Sequence, residues 1–228
     1  LDAFNNPTTA PRTEGGCIFV VGGATLEMNS SVVHTCNSGS FGGGIYGDGG
    51  TGGSAFSTIN LYNQTTVRDN DSSDGAGVYS LSGTVRVQTD ACVRSNDALN
   101  DGGGIYGGDD SRIIVGGGSV SNRCFVQDNY ADNRGGGVFN FLNSSFEGNH
   151  ARFYANSIGG MQGSAWRSDG GTAGGAPSAG GRFCTDCCIV NNTGNYAVFQ
   201  NNNGLITNWL SSWWGDNWGP RIFDLDPT

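Results

Sequence analysis

Lysine is absent. All eleven basic residues are arginine, set against twenty acids, of which only Glu14, Glu27 and Glu147 are glutamate. With a formal net charge of -9 and no basic stripe, the chain lacks the clustered cations that neutralise phosphate, which excludes nucleic acid as a partner and docking on anionic lipid. No run approaches the ~18 apolar residues of a membrane-spanning helix. Proline is scarce, at five residues, and the 41 glycines follow no Gly-X-Y period, which excludes collagen. Histidine occurs twice, as His34 and His150, both far in sequence from the one tight cysteine cluster, and a second Cys-x-x-Cys knuckle is missing, so a zinc ribbon does not fit. Gly-x-Ser-x-Gly, Walker and dinucleotide fingerprints are missing too.

What is present suits one folded domain. The 228 residues fall below the length at which chains usually split, and 36% hydrophobic residues suffice for a core. Seven cysteines (Cys17, Cys36, Cys92, Cys124, Cys184, Cys187 and Cys188) read as disulfide formers, with the odd count leaving one thiol free or paired between chains. Spacing does not fix their pairing. Disulfides place the chain outside the cytosol: secreted, at a cell surface or in another extracytoplasmic compartment. Lacking a charged and then apolar leader, the chain reads as a mature product or excised fragment. Asn-x-Ser/Thr sequons stand at Asn29, Asn63, Asn70, Asn143 and Asn191, roughly the number that composition alone supplies. Asn29, Asn63 and Asn143 are kept as candidate glycosylation sites.

Self-similarity organises the chain. GGGIY starts at Gly42, GAGVY at Gly75, GGGIY at Gly102 and GGGVF at Gly135, separated by 33, 27 and 33 residues. A second motif precedes the glycine runs, an apolar residue followed three later by Asn: Val67–Asn70, Val93–Asn96 and Val126–Asn129. Phe146–Asn149 and Ile189–Asn192 extend it, and Val33–Cys36 opens it with Cys in the Asn place. Earlier still lies a short alternating stretch, Leu26-x-Met28, Ile59-x-Leu61 and Val85-x-Val87, with the next unit starting at Ile113. Each repeat therefore reads as three short strands separated by turns. Glycine and asparagine in this density oppose helix, and the apolar residues alternate with period two. A coil that stacks each strand on its equivalent one turn away requires the same residue to recur in the same place. The expectation is an all-β, single-stranded, right-handed parallel β-helix of six or seven rungs spanning 17–204. An extended arm (1–16) would precede it and a Trp-rich cap and tail (205–228) would follow.

That coil assigns roles to the motifs. Stacked Asn70, Asn96, Asn129, Asn149 and Asn192 would form an amide ladder, with the asparagines tolerating a left-handed turn. Ile45, Val78, Ile105 and Val138 would point inward, and Tyr46, Tyr79, Tyr106 and Phe139 outward or into a corner. Asp48–Phe56 and Ser164–Arg182 read as Gly-rich insertions.

The GG[AG][IV] runs paired with [FV]-x-x-N resemble the repeats of chlamydial-type polymorphic outer-membrane proteins and, more broadly, right-handed parallel β-helix proteins of bacterial and algal surfaces. The stretch Asn208 to Pro220, with Trp213, Trp214 and Trp218, resembles the N-x-WWG-x-x-x-GP ending that closes the last rung of such helices. The resemblance covers Cys17 to Pro220 and departs from the pattern at Cys36 and in lacking an autotransporter barrel. It implies the fold and a surface, adhesive or structural role.

Three functions compete. A β-helix that degrades polysaccharide would need paired carboxylates; Asp109 and Asp110 are the adjacent pair, with Arg112 as a lyase base and Ca²⁺ as the cofactor that reading would add. The Gly-His-Gly and Arg-Ile-Lys signatures of polygalacturonases are absent. A glycan-binding module would use Trp213, Trp214 and Trp218 as a sugar platform, although a solenoid must also cover its open end with such residues. The favoured expectation is a non-catalytic extracytoplasmic structural or interaction module without cofactor or metal, partnered by other protein subunits, by its own copies or by glycans.

Overall fold

The computed structural model describes residues 2–4, 12–50, 56–116, 124–142, 144–160, 163–169, 182–185, 187–194, 198–201 and 206–210. Among them every regular element is a strand, and every strand pairing is parallel. The strands form four sheets, here A to D, of seven, six, seven and seven strands. One turn of chain visits each sheet once. Thr66–Arg68 lies in sheet A, Asp71–Asp74 in B, Val78–Leu81 in C and Gly83–Val87 in D. The next strand, Cys92–Arg94, returns to sheet A and pairs with Thr66–Arg68, Val93 beside Val67. The molecule is a parallel β-helix of six to seven rungs. Each rung has four strands, where three are expected from the repeat.

The alternating residues explain the interior. Ile59 and Leu61 sit beside Val85 and Val87 in register on sheet D. Val33, Val67, Val93, Val126, Phe153 and Ile189 stack on sheet A, and Ile45, Val78, Ile105 and Val138 on sheet C, all within one buried core. Ala98, Ala131 and Ile158 of sheet B form a smaller cluster with Ala76 of the turn that follows Asp71–Asp74.

Two corners define the coil. From sheet B to C the chain turns at Gly15, Gly42, Gly75, Gly102, Gly135 and Gly163, with φ from 56° to 72°, a conformation in which glycine carries no Cβ penalty. From sheet A to B it turns on the residue before each motif asparagine: Asp69, Ser95, Asp128, Ala155 and Asn191 have φ of 51° to 54°. The asparagine itself is not the left-handed residue.

The ends and insertions differ from expectation. Residues expected as an arm include two strands of a further partial turn: Asp2–Phe4 pairs with Val32–His34, and Arg12–Glu14 with Ser38–Phe41. Past position 204, Ile206–Leu210 is still a strand of sheet D. Trp166–Asp169, inside an expected insertion, is a strand of sheet C, and Gly163-Ser164-Ala165-Trp166 is a further glycine-run corner written in other small residues.

Candidate functional site

The motif asparagines form a continuous column, Asn70, Asn96, Asn129, Asn156 and Asn192, all buried. Each Nδ2 donates to Oδ1 of the asparagine one turn on, at 2.9, 2.9, 3.0 and 2.9 Å along the column. The second Nδ2 hydrogen goes back one turn, as from Asn129 to the Val93 carbonyl at 3.0 Å. Each Oδ1 also accepts the backbone N–H of the preceding column member, as from Asn96 to Asn129 at 3.2 Å. A carboxamide offers two donors and two acceptor lone pairs, so the interior members are saturated.

Asn149 is not in the column. It lies on the exposed outer side of sheet D beside Gly116, and Asn156 holds the position expected for it. Phe146-x-x-Asn149 and Phe153-x-x-Asn156 have the same form, so the motif does not separate them. The interval to the next glycine corner does. That corner follows Asn70, Asn96 and Asn129 by five or six residues and Asn156 by seven, but Gly163 itself was hidden by its Ser and Ala neighbours.

At the amino-terminal end the column finishes on a disulfide. Cys36 donates its backbone N–H to Asn70 Oδ1 at 3.0 Å, and its sulfur is bonded to Cys17. Cys92–Cys124 joins neighbouring turns, and Cys187 is also disulfide-bonded. Cys188 is a free, half-buried thiol that burial pushes up, with the Arg152 cation opposing. Cys184 belongs to the strand Arg182–Thr185, whose side chains lie outside the described residues.

Asp109 and Asp110 are exposed left-handed turn residues, φ 24° and 60°, at the corner between Ile105–Gly108 and Arg112–Gly116. Ser82 and Leu142 turn the same corner on the neighbouring rungs with φ near 50° (51° and 52°). Arg112 leaves them for the outer face of sheet D, where its guanidinium pairs with Glu147 at 2.8 Å. Among the described residues, no three His, Cys, Asp or Glu side chains converge as a metal ligand set. Asn29 and Asn63 are exposed, whereas Asn70 is closed to any glycosyltransferase by its place in the ladder. Asn143, Trp213, Trp214 and Trp218 lie outside the described residues.

On the outer face of sheet C the aromatic residues expected outward or at a corner form a stack with Phe19 that sequence reasoning missed. Phe19, Tyr46, Tyr79 and Tyr106 stack at 5.0, 5.4 and 4.6 Å with interplanar angles of 6°, 6° and 11°. Phe139 continues the row at 5.2 Å, tilted, with the Arg134 guanidinium over its ring at 4.6 Å. Beside the rings runs a charged chain. Arg134 pairs with Asp101 and, at 2.7 Å, with Asp169; Arg167 grips Asp169 through Nε and a terminal nitrogen, both at 2.9 Å. The Asp101 N–H donates to Asp74 Oδ1 at 3.2 Å. Burial, reinforced by the neighbouring Asp101, pushes the Asp74 carboxyl up to about 6. Burial, then Asp48 and Glu14, pushes the Tyr46 phenol up to about 12, and burial raises Tyr79 and Tyr106 as well. Neutral phenols thus stand beside a mostly ion-paired acidic row. Because the rings cover one another's faces, they offer edges to the side and no platform for a sugar ring.

No family model matches this chain, and neither a curated protein nor a solved structure is found to be similar to it.

Proposed function

We propose that the chain is a non-catalytic extracytoplasmic structural or interaction module, a rigid β-coil whose faces and ends contact other protein subunits, other copies of itself or glycans. The saturation of the asparagine column is the observation that carries this reading. The chain's most repeated polar residue satisfies its hydrogen bonds within the coil, which stiffens the rod and leaves those amides no valence for a ligand. Three further points support it. Asp109 and Asp110 act as turn residues, and Arg112 is ion-paired with Glu147. Disulfides favour an oxidising compartment, where the exposed Asn29 and Asn63 would carry glycans. The likeness of the glycine and asparagine motifs to polymorphic outer-membrane repeats points to a cell surface. The reading calls for no cofactor and no Ca²⁺.

Mass photometry of the purified chain, joined to a glycan array and a depolymerisation assay on uronate-rich polysaccharides, tests it. Self-assembly or glycan capture without product release is the expected result. Release of oligosaccharides that disappears in Asp109→Ala/Asp110→Ala would establish an enzyme instead. A monomer that binds nothing would also overturn the reading.

A further inference from the structure

Rung stacking builds columns of charge whose members are scattered in the sequence. On the outer face of sheet A, His34 lies beside Arg68 and Arg68 beside Arg94 in register, and Arg152 follows on the strand Arg152–Tyr154. No carboxylate stands among the described side chains of that face. The four bases are half-buried, and the Arg68 side chain keeps 32% of its surface open. The outer face of sheet B has the opposite sign. Asp71 lies beside Asp97 in register and Asp132 follows Tyr130–Ala131, all three exposed.

Both columns advance one residue per turn of the coil, Arg68 and Asp71 in one turn and Arg94 and Asp97 in the next. Like charges therefore stack at the rung spacing of about 4.8 Å, where they repel one another. The fold answers this only in part. Arg68 pairs with Asp69 at the corner between the two sheets, and the Tyr130 hydroxyl donates to Asp132 at 2.6 Å. Arg94, Asp71 and Asp97 have no ion-pair partner among the described residues. The repulsion is visible in the carboxyls: burial and then Asp97 and Asp69 raise Asp71, and burial and then Asp132 raise Asp97.

A second copy of the chain carries what each column lacks. Two coils lying side by side share one rung interval, so a column of arginines meets a column of aspartates step for step without any change of backbone. Leu99, on the same acidic strand as Asp97, is 66% exposed, and the aliphatic stems of arginines are a surface that covers such a side chain. A polyanionic glycan would answer sheet A and leave the acidic column and Leu99 open. The net charge of -9 opposes approach from afar, but beyond a Debye length of about 8 Å at physiological salt it is largely screened, whereas apposed columns are not.

We propose that the outer face of sheet A, through Arg68 and Arg94, docks on the outer face of sheet B of a second copy, through Asp71 and Asp97, so that coils associate side by side. This rests on the reading of the chain as an assembling module and names its partner and surfaces.

Sedimentation velocity of the oxidised protein across a concentration series, in low and in high salt, tests it. Mass grows with concentration in low salt, and high salt moves the midpoint up about tenfold. Two variants each reverse one face, Arg68→Asp/Arg94→Asp and Asp71→Arg/Asp97→Arg. Either alone stays monomeric about tenfold above the wild-type midpoint. Mixed, they again oppose unlike charges at both contacts, and assembly returns. Far-UV circular dichroism checks their fold; if a reversed chain does not fold, the neutral variants Arg94→Gln and Asp97→Asn take its place, each weakening assembly about threefold. Assembly that ignores salt, that persists unchanged in the folded variants or that fails to return in the mixture overturns this contact and leaves the module reading intact. A monomeric wild type that captures acidic glycans through Arg68 and Arg94 does the same. A monomer that instead depolymerises polysaccharide overturns both.

Discussion

Asn129 and Asn156 are joined twice across one turn of the coil. Nδ2 of Asn129 donates to Asn156 Oδ1 at 3.0 Å and its backbone N–H donates to the same oxygen at 3.1 Å. Asn129 in turn receives the Asn96 amide at 2.9 Å. Leaving buried polar groups unpaired costs about 1–3 kcal/mol each. Asn129→Ala strands the Asn96 side-chain and backbone donors, so a loss of roughly 2–5 kcal/mol is expected. Asn149→Ala, on the exposed side of sheet D, should stay within about 0.5 kcal/mol of the parent. Urea unfolding of the two variants side by side checks this; equal losses would refute the column assignment.

That contrast also shows where the sequence was legible. The coil, its core residues and four of the five ladder positions follow from motifs that recur letter for letter, because stacked turns place like beside like. Sheet B did not announce itself. Its strands Asp71–Asp74 and Asp97–Asp101 bury only Ser72, Ala98 and Asp101, with an irregular register between them, so no apolar alternation marks them. The Gly163 corner escaped because Ser164 and Ala165 replace glycines. The ion-paired row of Asp101, Arg134, Asp169 and Arg167 was invisible for another reason. Arg134 lies 33 residues from Asp101 and 35 from Asp169, and meets them only through rung stacking.

The two corners make opposite predictions for glycine. Ala155 holds a left-handed backbone, φ 51°, which costs an L-residue roughly 1–2 kcal/mol. Ala155→Gly removes that strain at some entropic cost, for a net gain of about 0.5–1 kcal/mol. At Gly77 a Cβ would stand 2.5 Å from the Gly104 carbonyl oxygen and 2.9 Å from Asn96 Nδ2. Gly77→Ala should therefore push the next turn off the ladder and lose at least about 2 kcal/mol. Thermal melts of both variants decide; a stabilised Gly77→Ala would contradict the packing of glycine against asparagine.

The Cys17–Cys36 bridge closes a short loop, with a sequence separation of 19, for which chain entropy alone gives stabilisation of about 3 kcal/mol. It also anchors the first acceptor of the ladder through the Cys36 N–H. Cys17→Ser/Cys36→Ser should lose roughly 2–4 kcal/mol and speed amide hydrogen exchange first at Cys36 and its neighbours. Cys17→Ser/Cys36→Asn restores a carboxamide in the ladder position and should recover part of that loss. Exchange mass spectrometry reads both effects, and uniform acceleration over all rungs would argue against an end-anchoring role.

Asp74 gives the fold a pH dependence of defined sign. Its folded carboxyl is raised to about 6 from a reference of 3.8, by burial first and then by Asp101. Between those values the folded state holds more protons than the unfolded one, so stability falls as pH rises. The contribution is fully present below the unfolded value and is lost as pH passes the folded one. Because Asp74 is only partly buried, solvent screening reduces the effect to about 1 kcal/mol. Asp71 and Asp97 are raised too, each chiefly by burial, and add a slope of the same sign. Asp74→Asn keeps an acceptor for the Asp101 N–H but cannot ionise. It should flatten part of the decline from pH 4 to 7 and exceed the parent in stability at pH 7. Urea midpoints measured across that range test the assignment, and a variant with the parent's slope would place the titration on other groups.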